Sequence, residues 1–134
     1  MLAKIKQLKE FINSDNIITF LSGAGLSTAA GLPDFRSDKE GFWEKNKPVK
    51  FSEFLKNEES QNKSWNNNIA IINSIKRKKR TKMHDFIDKF LLESKKNIHI
   101  TQNIDGFHYS KRLSSQIFEL HGSIRSARCL NCKT

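Results

Sequence analysis

The run Asn16-Ile17-Ile18-Thr19-Phe20-Leu21 passes directly into Ser22-Gly23-Ala24-Gly25, and this junction limits the fold more than any other part of the chain. The apolar stretch Ile17 to Leu21 reads as a buried strand. Glycines at 23 and 25 let the backbone turn sharply and a ligand come close, while amides opening a following helix favour phosphate oxygens. Taken alone, the same residues also describe a plain strand-to-helix corner. In the dinucleotide fingerprint G-x-G-x-x-G the third glycine is replaced here by Thr28. About 20 residues further on, where that fingerprint places a ribose-binding acid at the end of a second strand, the chain has a polar stretch around Glu40 and Glu44. A conventional hydride-transfer site is therefore disfavoured.

The flanking periodicities suggest what surrounds this strand. Leu2, Ile5, Leu8, Phe11 and Ile12 recur at helical spacing, which predicts an amphipathic first helix that packs on the body with its lysines in water. Weaker helices are expected around 51–59 and 64–75, the second with Trp65, Ile69, Ile72 and Ile75 on one face. Met83, Phe86, Ile87, Phe90 and Leu91 form the clearest helical stripe. Strands are expected over 97–101 and 116–120. This order predicts a single α/β domain with a largely parallel sheet, whose ligand crevice lies beyond the carboxyl ends of the strands.

Charge and cysteine usage narrow the setting. The formal charge of +10 favours polyanionic partners in general. The basic run Lys76 to Lys82, lying between two helices, reads as a solvated connection, and no specific nucleic acid is expected. No apolar run approaches the roughly 18–20 residues that span a bilayer, and the N-terminus lacks a signal-peptide core. No membrane partner is expected, and the cytoplasm is the expected compartment. Cys129 and Cys132 are the only cysteines, so there is no disulfide framework and a reducing environment fits.

Polar clusters follow each expected strand or its turn. Pro33-Asp34-Phe35-Arg36 reads as an ion pair with a tucked ring, or as a loop in which Arg36 meets phosphate, Phe35 covers a heterocycle and Asp34 holds the loop or a sugar hydroxyl. Thr101-Gln102-Asn103-Ile104-Asp105-Gly106 offers two amides and a carboxylate for sugar hydroxyls or a carboxamide, or is a simple turn. Glu119-Leu120-His121-Gly122 ends the third strand with an imidazole suited to general-base work near neutral pH, or with a structural histidine.

Taken in order, "GAGLSTAAGLPDFR", "TQNIDGFH", "ELHG" and "CLNC" resemble the sirtuin family of NAD-dependent protein deacylases across nearly the whole chain. "GFW" at 41–43 and the helix carrying His84 fit as well. The segment "FSEFLKNEESQNKSWNNN" and "CLNC" look more like the branch that includes mitochondrial and bacterial class II sirtuins. The resemblance implies a Rossmann-like parallel sheet with helices, incomplete here, plus the first half of a zinc ribbon. Residues 1–134 would be the NAD-binding domain, truncated at its C-terminus, with about 125–134 opening the zinc module.

The same resemblance implies the site. Gly23, Ala24, Gly25 and Thr28 would bind NAD near its phosphates, with Asp34, Phe35 and Arg36 on the cofactor loop. Gln102, Asn103, Ile104 and Asp105 would surround the nicotinamide and its ribose. His121 would be the catalytic base, with Asn103 and Asp105 beside it in the chemistry. An acylated lysine of a protein or peptide is the implied substrate, nicotinamide and O-acyl-ADP-ribose the implied products. Mono-ADP-ribosyl transfer in the same pocket, and a non-catalytic NAD- or ADP-ribose-binding remnant, are the alternatives.

Two features depart from the family pattern. Cys129 and Cys132 supply only two of the four ligands a structural zinc site needs. "FHYSKRLSSQ" stands where the family tends to have a small Ala-Gly turn. Three strands and one cysteine pair lead to the expectation that this chain alone binds NAD weakly and deacylates poorly or not at all, with acyl selectivity residing elsewhere.

Overall fold

A computed structural model describes residues 2–13, 16–32, 42 and 46–134. The cluster Pro33, Asp34, Phe35 and Arg36 lies outside the described residues. Helix α1 (Leu2–Ile12) leads into strand β1 (Thr19–Ser22) and the short helix α2 (Gly25–Thr28); α3 (Phe51–Phe54), α4 (Glu58–Lys76) and α5 (Lys82–Glu93) come next. Strand β2 (Ile98–Thr101), a 3₁₀ helix (Lys111–Gln116) and strand β3 (Ile117–Glu119) complete the described elements.

The strands form one sheet in the order β1-β2-β3, all parallel. Ser22 pairs with Thr101, and Thr101 with Glu119, so the three strands end side by side. Two further bonds, Gln102 N–H to Ser22 O at 3.0 Å and Leu120 N–H to Thr101 O at 2.9 Å, keep the first residues beyond the strands together. The crevice expected for a parallel sheet therefore opens onto Gly23, Gln102 and Leu120.

The apolar core is small and lies between α5 and the 3₁₀ helix. Ile87, Leu91 and Leu113 are buried, with Phe20, Leu26 and Ile117 packed against them. Two amides staple this core to the strands. Asn97 donates to Phe90 O at 2.8 Å and accepts from Ile18 N–H at 2.9 Å. Gln116 Nε2 lies 2.9, 2.9 and 2.8 Å from the carbonyls of Leu91, Ser94 and Asn97. These carbonyls sit at the end of α5 and in the turn before β2, and the two hydrogens of the amide are shared among them.

Several expectations shift against this frame. The α1 stripe does not enter the core: no α1 residue is buried, and Leu2 is 84% exposed. Periodicity specifies an amphipathic helix but not what covers it. β1 is not buried on both faces: its exposure alternates along the strand and Leu21 is exposed. On α4 the buried residue is Ile71, while Trp65 and Ile69 are exposed. On α5 the inward residues are His84, Ile87 and Leu91, leaving Met83 and Phe86 outside. The helix is thus rotated by about one position, because His84 bonds back to its own N-cap and carries that face inward.

Candidate functional site

The loops beyond β1 and β2 are tied into one buried knot. Asn103 Nδ2 donates to Gly23 O at 3.0 Å and to Ser27 Oγ at 3.2 Å, which uses both of its hydrogens. Ser27 Oγ donates onward to Asp105 Oδ2 at 2.7 Å. Asp105 Oδ1 accepts from Phe107 N–H at 2.9 Å. Ser27, Asn103 and Asp105 are all buried. The series runs one way, from amide to hydroxyl to carboxylate, and fixes the loop after β2 against the glycine turn after β1. A narrow cleft of about 20 Å³ touches all three residues, with Ala24, Leu32 and Ile71 among its other walls.

A second network lies directly beneath. Ser22 Oγ donates to Thr101 Oγ1 at 2.8 Å, and Asn103 N–H donates to the same oxygen at 3.1 Å. Since the Ser22 hydrogen is spent on Thr101, the 2.8 Å contact between Ser22 Oγ and His99 Nε2 is donated by the imidazole. His99 therefore carries its proton on Nε2. His84 has the opposite constraint at its other nitrogen: its Nδ1 accepts Thr81 N–H at 3.0 Å, so its proton also sits on Nε2.

His84, His99 and His108 form a buried cluster, with ring centroids 4.7 Å apart for His84–His108 and 4.3 Å for His99–His108. One nitrogen of each ring has no hydrogen-bond partner among the described residues. Burial pushes His99 down to about 4. Burial and then the neighbouring His99, His84 and Arg80 push His108 down to about 3. His84 is lowered by burial against an opposing pull from Asp105. All three rings are neutral at neutral pH.

His121 is the exposed counterpart. Its Nδ1 lies 3.1 Å from Gln102 O. A carbonyl can only accept, so Nδ1 carries a proton, and in the neutral ring the lone pair is the exposed Nε2's. This is the tautomer a general base needs. The loop carrying it is docked by Ile124 N–H to Ile104 O at 2.9 Å. Arg125 adds to that docking: it pairs with Glu119 at 3.0 Å and lies 3.6 Å over the Tyr109 ring. Gly106 makes room for it, with φ of +75° and a Cβ position only 2.7 Å from Arg125 Cδ. Gly106→Ala is expected to cost about 1–2 kcal/mol from the left-handed backbone alone, read as a lower thermal midpoint.

The residues singled out in sequence divide as follows. Gly23, Ala24, Gln102, Asn103, Ile104, Asp105 and His121 are brought together at the strand ends. Among the described residues a Cβ on Gly23 or Gly25 would meet nothing within 4 Å, and neither residue is among those with positive φ. Neither packing among them nor backbone strain demands glycine there, and the turn is open to close approach. A groove of about 870 Å³ runs past this turn, with Lys82 and Met83 on its far side. Thr28 is exposed and its hydroxyl bonds Gly25 O at 3.0 Å; the buried knot uses Ser27 instead. A four-residue helix has no periodicity from which to tell 27 from 28. The histidine cluster and the hydroxyl roles of Ser22 and Thr101 are not legible in sequence, because their neighbours come from separate elements.

Cys129 and Cys132 are exposed and free. Their turn is closed by Lys133 N–H to Cys129 O at 3.0 Å. Hydrogen bonding from Thr134 and Cys129 holds the Cys132 thiol down to about 7. Among the described residues no group of three or more His, Cys, Asp or Glu is placed to hold a metal ion.

Comparisons with known proteins agree with this geometry. A profile of the Sir2 family matches residues 23–134. An NAD-dependent protein deacetylase of Rhodopseudomonas palustris is 32% identical, matching 96% of this chain and 51% of its own length. NAD-dependent protein deacylase Sirt4 of Drosophila melanogaster is 32% identical over 96% of this chain and 42% of its own length. A mutant Sir2 homologue solved as an ADP-ribose complex superposes with a TM-score of 0.75 at 28% identity, covering 96% of this chain and 51% of that one. The chain spans about half the length of the curated relatives it matches. With a parallel Rossmann-like sheet, its strand-end motifs in order and a family match over most of its length, the chain belongs to the Sir2 family.

Proposed function

We propose that this chain carries the NAD-cleaving part of a protein lysine deacylase. The observation that carries the reading is the buried Asn103–Ser27–Asp105 knot beside an exposed His121 whose Nε2 lone pair is free to take a proton. The turn at Gly23 and Gly25 suits NAD, since no described residue would meet a Cβ at either position within 4 Å. Bound NAD would supply an electrophilic ribose carbon and nicotinamide as leaving group. The chain's own residues do the rest. Gly23, Ala24 and Gly25 take the phosphates, with Asp34, Phe35 and Arg36 assigned to the cofactor loop by motif. Gln102 to Asp105 hold the polar ring and its ribose, and Thr28 stands at the rim of the phosphate turn. His121 Nε2 takes a proton from a ribose hydroxyl. The substrate would be an acylated lysine in a protein or peptide.

Prolonged incubation of stoichiometric chain with NAD and an acetyl-lysine peptide, followed by mass spectrometry, tests this. Acylated ADP-ribose is expected, slowly, and His121→Ala should lower its formation at least about 100-fold, the range for loss of a general base. NAD binding without any acyl transfer would favour the non-catalytic binding module instead. ADP-ribosylated protein in place of acylated ADP-ribose would favour the transferase.

Zinc has a half-fit. Cys129 and Cys132 lie on one exposed turn with a lowered thiol at Cys132, which suits two thiolate ligands of a tetrahedral set. We assign residues 125–134 to the opening of a zinc module. Metal analysis after gel filtration is expected to give about one zinc per two chains, the ratio that four thiolates require. Zinc-free protein with two titratable thiols would contradict it.

A further inference from the structure

We propose that His99 is a positioning residue of the cofactor site, acting through the hydroxyls of Ser22 and Thr101 to hold Asn103 and the glycine turn in register; the proposal rests on the NAD-cleaving reading above. His99 and Thr101 alternate with Ile98 and Ile100 along β2, so their side chains leave the same face of the sheet. Phe20 and Ser22 stand opposite them on β1 in the parallel register. The imidazole therefore lies one pleat behind the strand end and reaches diagonally to Ser22, the last residue before Gly23.

The hydrogens run in one direction. His99 Nε2 donates to Ser22 Oγ at 2.8 Å, and Ser22 Oγ donates to Thr101 Oγ1 at 2.8 Å. Thr101 Oγ1 also accepts the Asn103 N–H at 3.1 Å, which fills both of its lone pairs. A ring protonated on Nδ1 instead would present a lone pair to Ser22, draw its hydrogen and release Thr101. The state of His99 thus reaches both loops that the cofactor touches. Ser22 leads straight into Gly23, and the Thr101 bond fixes the main chain of Asn103, whose side chain is committed to Gly23 O and Ser27 Oγ.

Packing alone gives no reason for an imidazole at this position. His99 is fully buried, and its Nδ1 has no partner among the described residues. Its neighbours include the Phe20 ring at 6.5 Å and the His108 ring at 4.3 Å. A leucine would fill space of this kind with no polar atom to desolvate, whereas the imidazole keeps an orphan nitrogen at a cost to stability. The bond to Ser22 is what the ring supplies that a leucine cannot, and that bond leads to the site.

The test uses the isotopically labelled 134-residue chain at pH 7.5, with histidine tautomers read by NMR and NAD affinity by calorimetry. In the parent, His99 is expected to carry its proton on Nε2 and none on Nδ1. His99→Leu is expected to weaken NAD binding about three- to tenfold, the range for one lost hydrogen bond, and to shift the Gly23 and Asn103 amides in the free protein. His99→Gln, which keeps an N–H donor beside Ser22, should recover most of the affinity. Ser22→Ala breaks the same series at its middle; it should match His99→Leu, and the double variant should lose no more than either alone. A proton on Nδ1 in the parent, unchanged affinity in His99→Leu, an equal loss in His99→Gln, or losses that add in the double variant overturns the proposal and leaves the NAD-cleaving reading standing. If the parent chain does not bind NAD, both fall.

Discussion

Asp105→Asn is expected to lower the thermal midpoint by roughly 10 °C and NAD affinity by at least about tenfold, although the two side chains have nearly the same shape. Asp105 Oδ2 is the final acceptor of a one-way series, receiving the Ser27 hydroxyl that itself accepts from Asn103. An amide oriented to keep the Phe107 N–H bond turns its NH₂ toward Ser27 Oγ. Two amide donors then face one hydroxyl oxygen, and the Ser27 hydrogen has no acceptor. Leaving a buried donor unpaired costs about 1–3 kcal/mol, toward the upper end where a charged acceptor is lost, and for a domain of this size that is several degrees to about 10 °C. NAD affinity follows because the same series holds the loop after β2 against the glycine turn. Ser27→Ala removes the link without inverting it and is expected to be milder in the melt. Equal melting and equal NAD affinity for Asp105→Asn and the parent would show that the knot is not under this polarity.

Acid is expected to unfold this protein earlier than its carboxylates require. His99 is held down to about 4 and His108 to about 3 by burial, below the value near 6.5 of an exposed imidazole. In the window between, the unfolded chain takes up protons that the folded chain refuses. Stability is therefore complete above about pH 6.5 and falls as pH drops toward the folded values, by about 1.4 kcal/mol per pH unit for each histidine. His84 shifts in the same direction. Asp88 and Asp85 oppose the effect at His84 and Arg80 adds to it. From pH 6.5 to 5 the two strongly shifted rings together remove about 3 kcal/mol, a large part of a domain's usual 5–15 kcal/mol. Urea midpoints at pH 7.5, 6 and 5 should fall steeply, and His99→Leu should flatten the slope by about one proton. A midpoint constant from pH 7 to 5 would contradict the neutral, buried assignment.

Much of the architecture is legible in the residues themselves. The apolar run before Gly23 and the strands around Ile98 and Ile117 announce a parallel sheet, because each is short, apolar and followed by a polar cluster. The alignment of Ser22, Thr101 and Glu119 then places Gly23, Asn103 and Asp105 at one edge. What the residues do not announce is the phase of each helix. His84 faces inward because its Nδ1 accepts the Thr81 amide, a capping bond that hydrophobic periodicity does not count. The choice between Ser27 and Thr28 likewise depends on one turn of helix. The histidine cluster draws on α5, β2 and the loop before the 3₁₀ helix, and no local pattern connects 84, 99 and 108. Half-exposed aromatics such as Trp65 read as core residues until the sheet and α4 are placed.

The most direct test of the site is a titration of the isotopically labelled chain with NAD, followed amide by amide. Saturable shifts are expected at Gly23 to Ser27 and at Gln102 to Asp105, with His121 moving and the basic run Lys76 to Lys82 unaffected at physiological salt. Shifts confined to that basic run and abolished by salt, with Gly23, Asn103 and Asp105 unmoved, would contradict an NAD site at the strand ends.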